Sequence, residues 1–96
     1  MAHYIAIVED AGPEQAVGVW FPDLSGCTSA GDDLDAAMLN AREALQLYAE
    51  SLDRDSKLLP RPSTLMELKA DPEFAKNLDA CMVALIEFPE RVHAAE

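Results

Sequence analysis

Basic residues are scarce in this chain of 96 residues. Seven Lys and Arg stand against eighteen Asp and Glu, which gives a formal net charge of −11. Such a surface repels nucleic-acid phosphates, so we expect no direct nucleic acid binding by this chain alone. The same field attracts a basic protein, and that attraction weakens as salt is added. Solubility explains the charge equally well, so the choice between the two depends on the motifs.

Cysteine and histidine are also few, and their spacing does not suit metal binding. Cys27 and Cys81 form no CxxC or Cys/His pattern, and His3 and His93 lie near opposite ends of the chain. We therefore expect reduced, buried thiols, no metal site and no cofactor. The first residues lack the regions of a signal peptide, and no apolar run reaches the roughly 20 residues of a membrane span. A cytoplasmic protein is the expectation.

Motifs for catalysis are missing as well. The chain has no GxSxG elbow, no GxGxxG and no P-loop, and its serines lack a neighbouring His or Lys. One set of residues keeps an enzymatic alternative open, because four aspartates could meet at strand ends and hold Mg²⁺: Asp10, Asp23, Asp32 and Asp33. That alternative is a metal-dependent, ribonuclease-H-like nuclease remnant, and an orphan oligomeric interaction module is a third hypothesis. Binding without enzymatic activity is the preferred interpretation.

Half of the residues are hydrophobic, which is enough for a single domain over residues 1–96. Apolar and β-branched residues predict strands at residues 3–10 and 16–21, joined by a turn of about five residues. A short third strand is predicted at residues 27–30. These three strands should form an antiparallel meander.

A long helix is predicted from residue 33 to about residue 53, with Asp32 as its N-cap. Leu39 and Leu47 lie off the apolar stripe of this helix, on either side of Glu43 and Glu50, so we expect them to be partly exposed. The stripe itself recurs at spacings of three and four and comprises Leu34, Met38, Ala41, Leu45, Tyr48 and Leu52.

Proline interrupts the next segment, so residues 54–63 are predicted to form an extended connection. Thr64 then begins a capping box, and Pro72 suits the first position of a second short helix. The nearly continuous apolar run at residues 80–88 predicts a strand that is buried on both faces and ends at Pro89.

The predicted fold class is therefore α+β, with a three-stranded antiparallel meander, a long helix and a returning strand. Only one long helix is available, although the first and last strands are apolar on both faces. The open face must be covered by residues 65–78, by a second copy or by another protein. We expect a homodimer or a higher oligomer.

Several linked motifs carry a resemblance to a known family. The chain reads Phe-Pro-Asp-Leu-Ser-Gly-Cys at residues 21–27, Asn-Ala-Arg-Glu-Ala-Leu at residues 40–45 and Arg-Pro-Ser at residues 61–63. In this order they resemble the HicB-like antitoxins of type II toxin–antitoxin systems. Ser25 stands where proline is commoner in the family, which should loosen that turn slightly.

The resemblance implies a partly reduced ribonuclease-H-like fold and an inhibitory function. Such an antitoxin binds and neutralises a small basic HicA-like toxin that cleaves mRNA, and it masks the toxin's RNA-binding and active surface. Many relatives append a DNA-binding domain at the C-terminus. Residues 90–96 are too few to form one, so no such domain is expected here.

The motif residues Phe21, Pro22, Gly26 and Cys27 are assigned to the fold, because they set the bend between two strands. No catalytic or metal-binding residue is assigned. The candidate residues for the toxin interface, chosen for exposure and charge, are Asp10, Trp20, Asp23, Leu39, Glu43, Leu47 and Glu50.

Overall fold

A computed structural model describes residues 2–88 of the chain. Its helices and strands are, in chain order, β1 (Ala2–Glu9), β2 (Val17–Trp20), β3 (Thr28–Gly31), α1 (Leu34–Arg54), α2 (Leu65–Lys69), α3 (Pro72–Ala80) and β4 (Met82–Phe88). The strands form one antiparallel sheet in the order β3-β2-β1-β4. The predicted α+β class with a long helix is confirmed.

The long helix α1 begins one residue later than predicted. Asp33, not Asp32, is the N-cap: its backbone is extended, with φ −142°, and its Oδ1 accepts the Ala36 N–H at 2.8 Å. An N-cap carboxylate must reach the free N–H groups of the first turn, and here Asp33 is in the position to do so. No helix within residues 2–88 is long and apolar enough to cross a membrane.

The helix lies close to the end of β3, and a glycine makes this possible. A Cβ atom on Gly31 would collide with the backbone nitrogen of Ala37 and would lie 2.7 Å from the carbonyl carbon of Ala36. Any side chain at this position would therefore push α1 away from the sheet. The sheet and the start of α1 are in direct contact as a result.

The central strand β1 divides the core into two clusters. Tyr4, Ala6 and Val8 face α1, whereas Ile5 and Ile7 face α2 and α3, as the alternation of a strand requires. The buried residues of the α1-side cluster are Tyr4, Ala6, Val8, Val17, Val19, Phe21, Leu24, Cys27, Ala37, Ala41, Leu45 and Ile86. Those of the smaller cluster are Ile5, Ile7, Leu68 and Leu78.

The two short helices cover the second face of the sheet, which confirms one of the three predicted possibilities. Thr64 and Glu67 form the predicted capping box at the start of α2, and Asp71 caps α3. The pKa of Glu67 is lowered, first by the hydrogen bond from the Thr64 backbone and then by the Arg61 guanidinium. Leu68 and Leu78 then bury against β1.

The last strand differs from its prediction. Among residues 2–88, β4 pairs only with β1 and is an edge of the sheet, and its side chains at Leu85 and Met82 are 65% and 43% exposed. The expectation of burial on both faces was therefore wrong, because α1, α2 and α3 do not extend over the whole of this edge. The predicted end of the strand at Pro89 lies outside the described residues.

Candidate protein-binding surface

The outward side of α1 brings four of the seven candidate residues together. Leu39 and Leu47 are 58% and 65% exposed, Glu43 is exposed and Glu50 is half-buried. At about 100° per residue these four side chains fall within an arc of roughly 80°. The predicted exposure of both leucines is confirmed. We call Leu39, Glu43, Leu47 and Glu50 the α1 outer face.

The α1 outer face is held rigidly by the opposite side of the helix. Ala37, Ala41 and Leu45 are completely buried against the sheet. Tyr48 adds a polar contact, because its hydroxyl donates to the Ser25 carbonyl oxygen at 3.1 Å. An exposed apolar residue on such a fixed helix loses little conformational freedom when a partner binds.

Trp20 lies on the other side of the sheet from α1. It is half-buried, its ring lies 6.1 Å from that of Phe74, and its Nε1–H donates to Glu9 at 3.0 Å. The contacts with Phe74 and the second cluster are those of a core residue at the rim of the sheet. The structure therefore does not bring Trp20 together with the α1 outer face.

Asp23 is also engaged inside the chain. Its Oδ2 accepts the Ser63 backbone N–H and its Oδ1 accepts the Ser63 hydroxyl, both at 2.7 Å. These bonds join the turn after β2 to the connection before α2. We call this pair the Asp23–Ser63 clip. The sequence contains both residues within its motifs, but no spacing rule indicates that residues 40 positions apart would pair.

Asp10 lies at a different end of the molecule, beside the start of α1. Together with Asp32 and Asp33 it lines an open cleft of about 310 Å³. Two of these carboxylates already accept backbone hydrogen bonds, since Asp10 binds the Gly12 N–H and Asp33 caps α1. Asp23 does not join them. Within residues 2–88, no group of three or more His, Cys, Asp or Glu side chains could hold a metal ion.

The motif residues form the bend between β2 and β3. Phe21 and Cys27 are buried, and Gly26 has a φ of +85°, which disfavours any residue with a side chain. Backbone bonds close the bend, from Leu24 N–H to the Phe21 carbonyl and from Cys27 N–H to the Leu24 carbonyl. Burial raises the pKa of the Cys27 thiol to about 11. Cys27 is thus a free, buried thiol as expected, whereas Cys81 is only half-buried.

These features define a small α+β domain in which a four-stranded antiparallel sheet carries one long helix on one face and two short helices on the other. A family model described as HicB-like antitoxin of bacterial toxin–antitoxin systems matches residues 4–93. The chain therefore belongs to the HicB-like antitoxins.

Solved structures give the same result. The antitoxin HicB of Burkholderia pseudomallei superimposes with a TM-score of 0.73 at 31% identity, over 91% of this chain and 63% of that one. Its N-terminal domain alone matches 90% of this chain and 96% of its own length, with a TM-score of 0.68 at 30% identity. This chain is thus similar to the N-terminal part of a longer antitoxin.

Two further relatives extend the comparison. A chain of the HicA3 and HicB3 toxin–antitoxin complex has a TM-score of 0.69 over 91% of this chain and 98% of that one, and at 23% identity this likeness is one of fold. An uncharacterised 14.9 kDa protein of Haemophilus phage HP1 is 42% identical over 53 residues. That match covers 55% of this chain and 40% of the phage protein.

Proposed function

We propose that this chain neutralises a small basic toxin of the HicA type by binding it through the α1 outer face and masking its RNA-binding and active surface. The observation that carries the proposal is the pair of exposed leucines that flank Glu43 on a rigid helix of a chain with net charge −11. The partner is taken from relatives, which include a HicA3 and HicB3 complex and a toxin–antitoxin complex from Streptococcus pneumoniae.

Charge supports a basic partner. An RNA-cleaving protein must present cationic groups to phosphates, and an acidic protein competes for those groups. α1 itself carries four acidic residues, Asp35, Glu43, Glu50 and Asp53, against two arginines. The long-range attraction would come from the whole chain and would raise the rate of encounter.

The leucines supply what charge lacks, since long-range attraction alone gives little specificity. Binding energy in protein interfaces is concentrated in a few apolar or aromatic anchors that lose contact with water. Leu39 and Leu47 are eight residues apart, or about 12 Å along the helix, so they would contact two separate points of a partner. Glu43 lies between them and would then form an ion pair with a cationic group of the partner, from which the two leucines exclude water.

The proposal gives the chain no catalytic role. The nuclease alternative needs carboxylates that are free to bind Mg²⁺, but Asp23 is held by Ser63 and Asp33 caps α1. We assign Trp20 and Asp23 to stability and Asp10 to the acidic field. Three antiparallel strands that are adjacent in the sheet and consecutive in the chain, with α1 after the third, support a partly reduced ribonuclease-H-like fold. The toxin's substrate, mRNA, would place the pair in the cytoplasm.

Calorimetric binding of the HicA-like toxin tests the proposal. Leu47→Ala should weaken binding about tenfold, because an interface anchor contributes on the order of 1–2 kcal/mol. Leu58→Ala is the matched control, since Leu58 is 91% exposed in the connection after α1 and should leave binding unchanged. Raising salt should weaken the wild-type complex. Equal affinities for both variants, or an affinity indifferent to salt, would overturn the proposal.

A further inference from the structure

We propose that β4 is a self-association edge, at which two copies of this chain pair antiparallel into one eight-stranded sheet. The starting point is the contrast between the two edges of the sheet. β3 has only four small or polar residues and packs against α1. β4 has seven residues, six of them apolar, and within the described part of the chain it pairs with β1 on one side alone.

Its composition leaves β4 without the usual protection of an edge strand. Natural proteins guard such edges with Lys, Pro, a bulge or a covering element. Residues 82–88 contain no Lys and no Pro, their register with β1 runs unbroken from Ala2↔Phe88 to Val8↔Met82, and Leu85 remains 65% exposed. No strand of the described residues pairs with the outer side of β4, so the backbone N–H and C=O groups on that side can pair with another strand.

The symmetry of β4 favours a second copy as the occupant. A twofold axis at Leu85, the central residue, would pair Met82 with Phe88 of the second copy, and Leu85 with its own equivalent. Paired residues in antiparallel strands share a face, so this register also continues each cluster across the new interface. Ala84 of one copy and Ile86 of the other would meet on the sheet face that α1 covers. The two Leu85 side chains would contact each other on the opposite face of the sheet.

Charge distinguishes a second copy from a basic partner. The chain as a whole has a net charge of −11, yet Glu87 is the one ionisable residue of β4. In the proposed register Glu87 would lie opposite Val83, and the two Glu87 side chains would be about 14 Å apart along the strands. Two acidic copies could thus meet at β4 with the least repulsion, whereas a basic protein is drawn to the acidic surfaces elsewhere.

The mass of the isolated chain, measured by light scattering over a concentration series, tests this inference. The dimer fraction should rise with concentration, and it should rise with salt because salt screens the repulsion between two acidic copies. Toxin binding should show the opposite salt dependence, so the two proposals can fail separately. A chain that stays monomeric at all concentrations and salts would overturn the inference, and so would β4 pairing that appears only when toxin is added.

A pair of matched substitutions locates the interface. Leu85 and Leu47 are both 65% exposed. Leu85→Lys would place two like charges opposite each other and should raise the dimer dissociation constant at least about tenfold. Leu47→Lys should leave the dimer intact. Equal effects of the two substitutions would contradict a β4 interface.

A disulfide cross-link tests the same interface without a buried charge, in case Leu85→Lys disturbs the fold. In a Cys81→Ala background, Leu85→Cys should oxidise to a covalent dimer, because directly opposed residues have Cβ atoms about 5 Å apart, close to disulfide geometry. Leu47→Cys in the same background is the control and should remain monomeric under the same oxidation. Failure of the Leu85 variant to cross-link, or equal cross-linking of both, would refute the proposed register.

Discussion

The two faces of the sheet share the strand β1 but are covered in different ways. On one face, the cluster has twelve buried residues, three of which belong to the 21-residue helix α1. On the other, the cluster has four buried residues, one of them from each of two helices of five and nine residues. Helices this short are not stable in isolation, so α2 and α3 depend on their N-caps and on their contacts with the rest of the chain. Apolar packing dominates the first face, whereas the second face combines a small apolar cluster with two capped helices and the Asp23–Ser63 clip.

The largest expected effect comes from emptying each cluster in turn. Leu45 of α1 is completely buried against the sheet, and Leu78 of α3 is nearly so. Leu45→Ala should lower the free energy of unfolding by about 3–4 kcal/mol and Leu78→Ala by about 2 kcal/mol, because the thinner cover can collapse into the space. Urea denaturation measures both. Equal losses at the two positions would show that the two faces of the sheet are packed equally tightly, contrary to this expectation.

The Asp23–Ser63 clip should matter mainly to the second face. Asp23→Asn removes the negative charge from both hydrogen bonds and leaves a single acceptor oxygen, so we expect a loss of about 1–2 kcal/mol. Hydrogen exchange in α2 and α3 should speed up more than exchange in α1. A double-mutant cycle with Ser63→Ala provides the control. If the two losses simply add, the bond between the Ser63 hydroxyl and Asp23 makes no energetic contribution.

Alkaline pH should destabilise the cluster between α1 and the sheet, which contains Tyr4 and Cys27. Burial raises the pKa of Cys27 to about 11, and burial followed by the negative charge of Asp23 raises the pKa of Tyr4. Both groups hold their protons more tightly when folded, so stability is intact below pH 9 and falls as pH rises through about 11. The melting temperature should drop by a few degrees over that range. Cys27→Ala should reduce this slope, and an unchanged slope would contradict the assignment.

The smallest effect is expected where the chain leaves α1. Ser56 has a φ of 59°, and the N–H groups of Ser56 and Lys57 bind the carbonyls of Asp53 and Leu52. This is a Schellman motif with a non-glycine residue in the left-handed position. Ser56→Gly should therefore stabilise the protein by about 0.5–1 kcal/mol in thermal unfolding. Destabilisation would show that the Ser56 side chain makes a contact that offsets its strain.

Sequence patterns predicted those parts of the fold that depend on neighbouring residues. The apolar stripe located α1, and the capping box at Thr64 and the proline at residue 72 located α2 and α3. Each of these signals acts within one turn of helix. The N-cap was misplaced by one residue because Asp32 and Asp33 are chemically equivalent and tertiary packing chooses between them.

The remainder depended on contacts between distant residues. An apolar run such as residues 82–88 has the same pattern at the centre of a sheet as at its edge, so the exposure of Leu85 could not be foreseen. The same holds for the candidate surface. Leu39 and Leu47 followed from helical geometry, but Trp20 and Asp23 pair with Phe74 and Ser63, and only the folded chain brings these residues together.

The most direct test of the proposed antitoxin function is RNA cleavage by the HicA-like toxin in the presence of this chain. Wild type should stop cleavage at about one equivalent, while Leu47→Lys combined with Glu43→Lys should fail to do so and keep an unchanged melting temperature, because both side chains are exposed. Cleavage that continues with wild type, or that stops equally well with the double variant, would contradict the account.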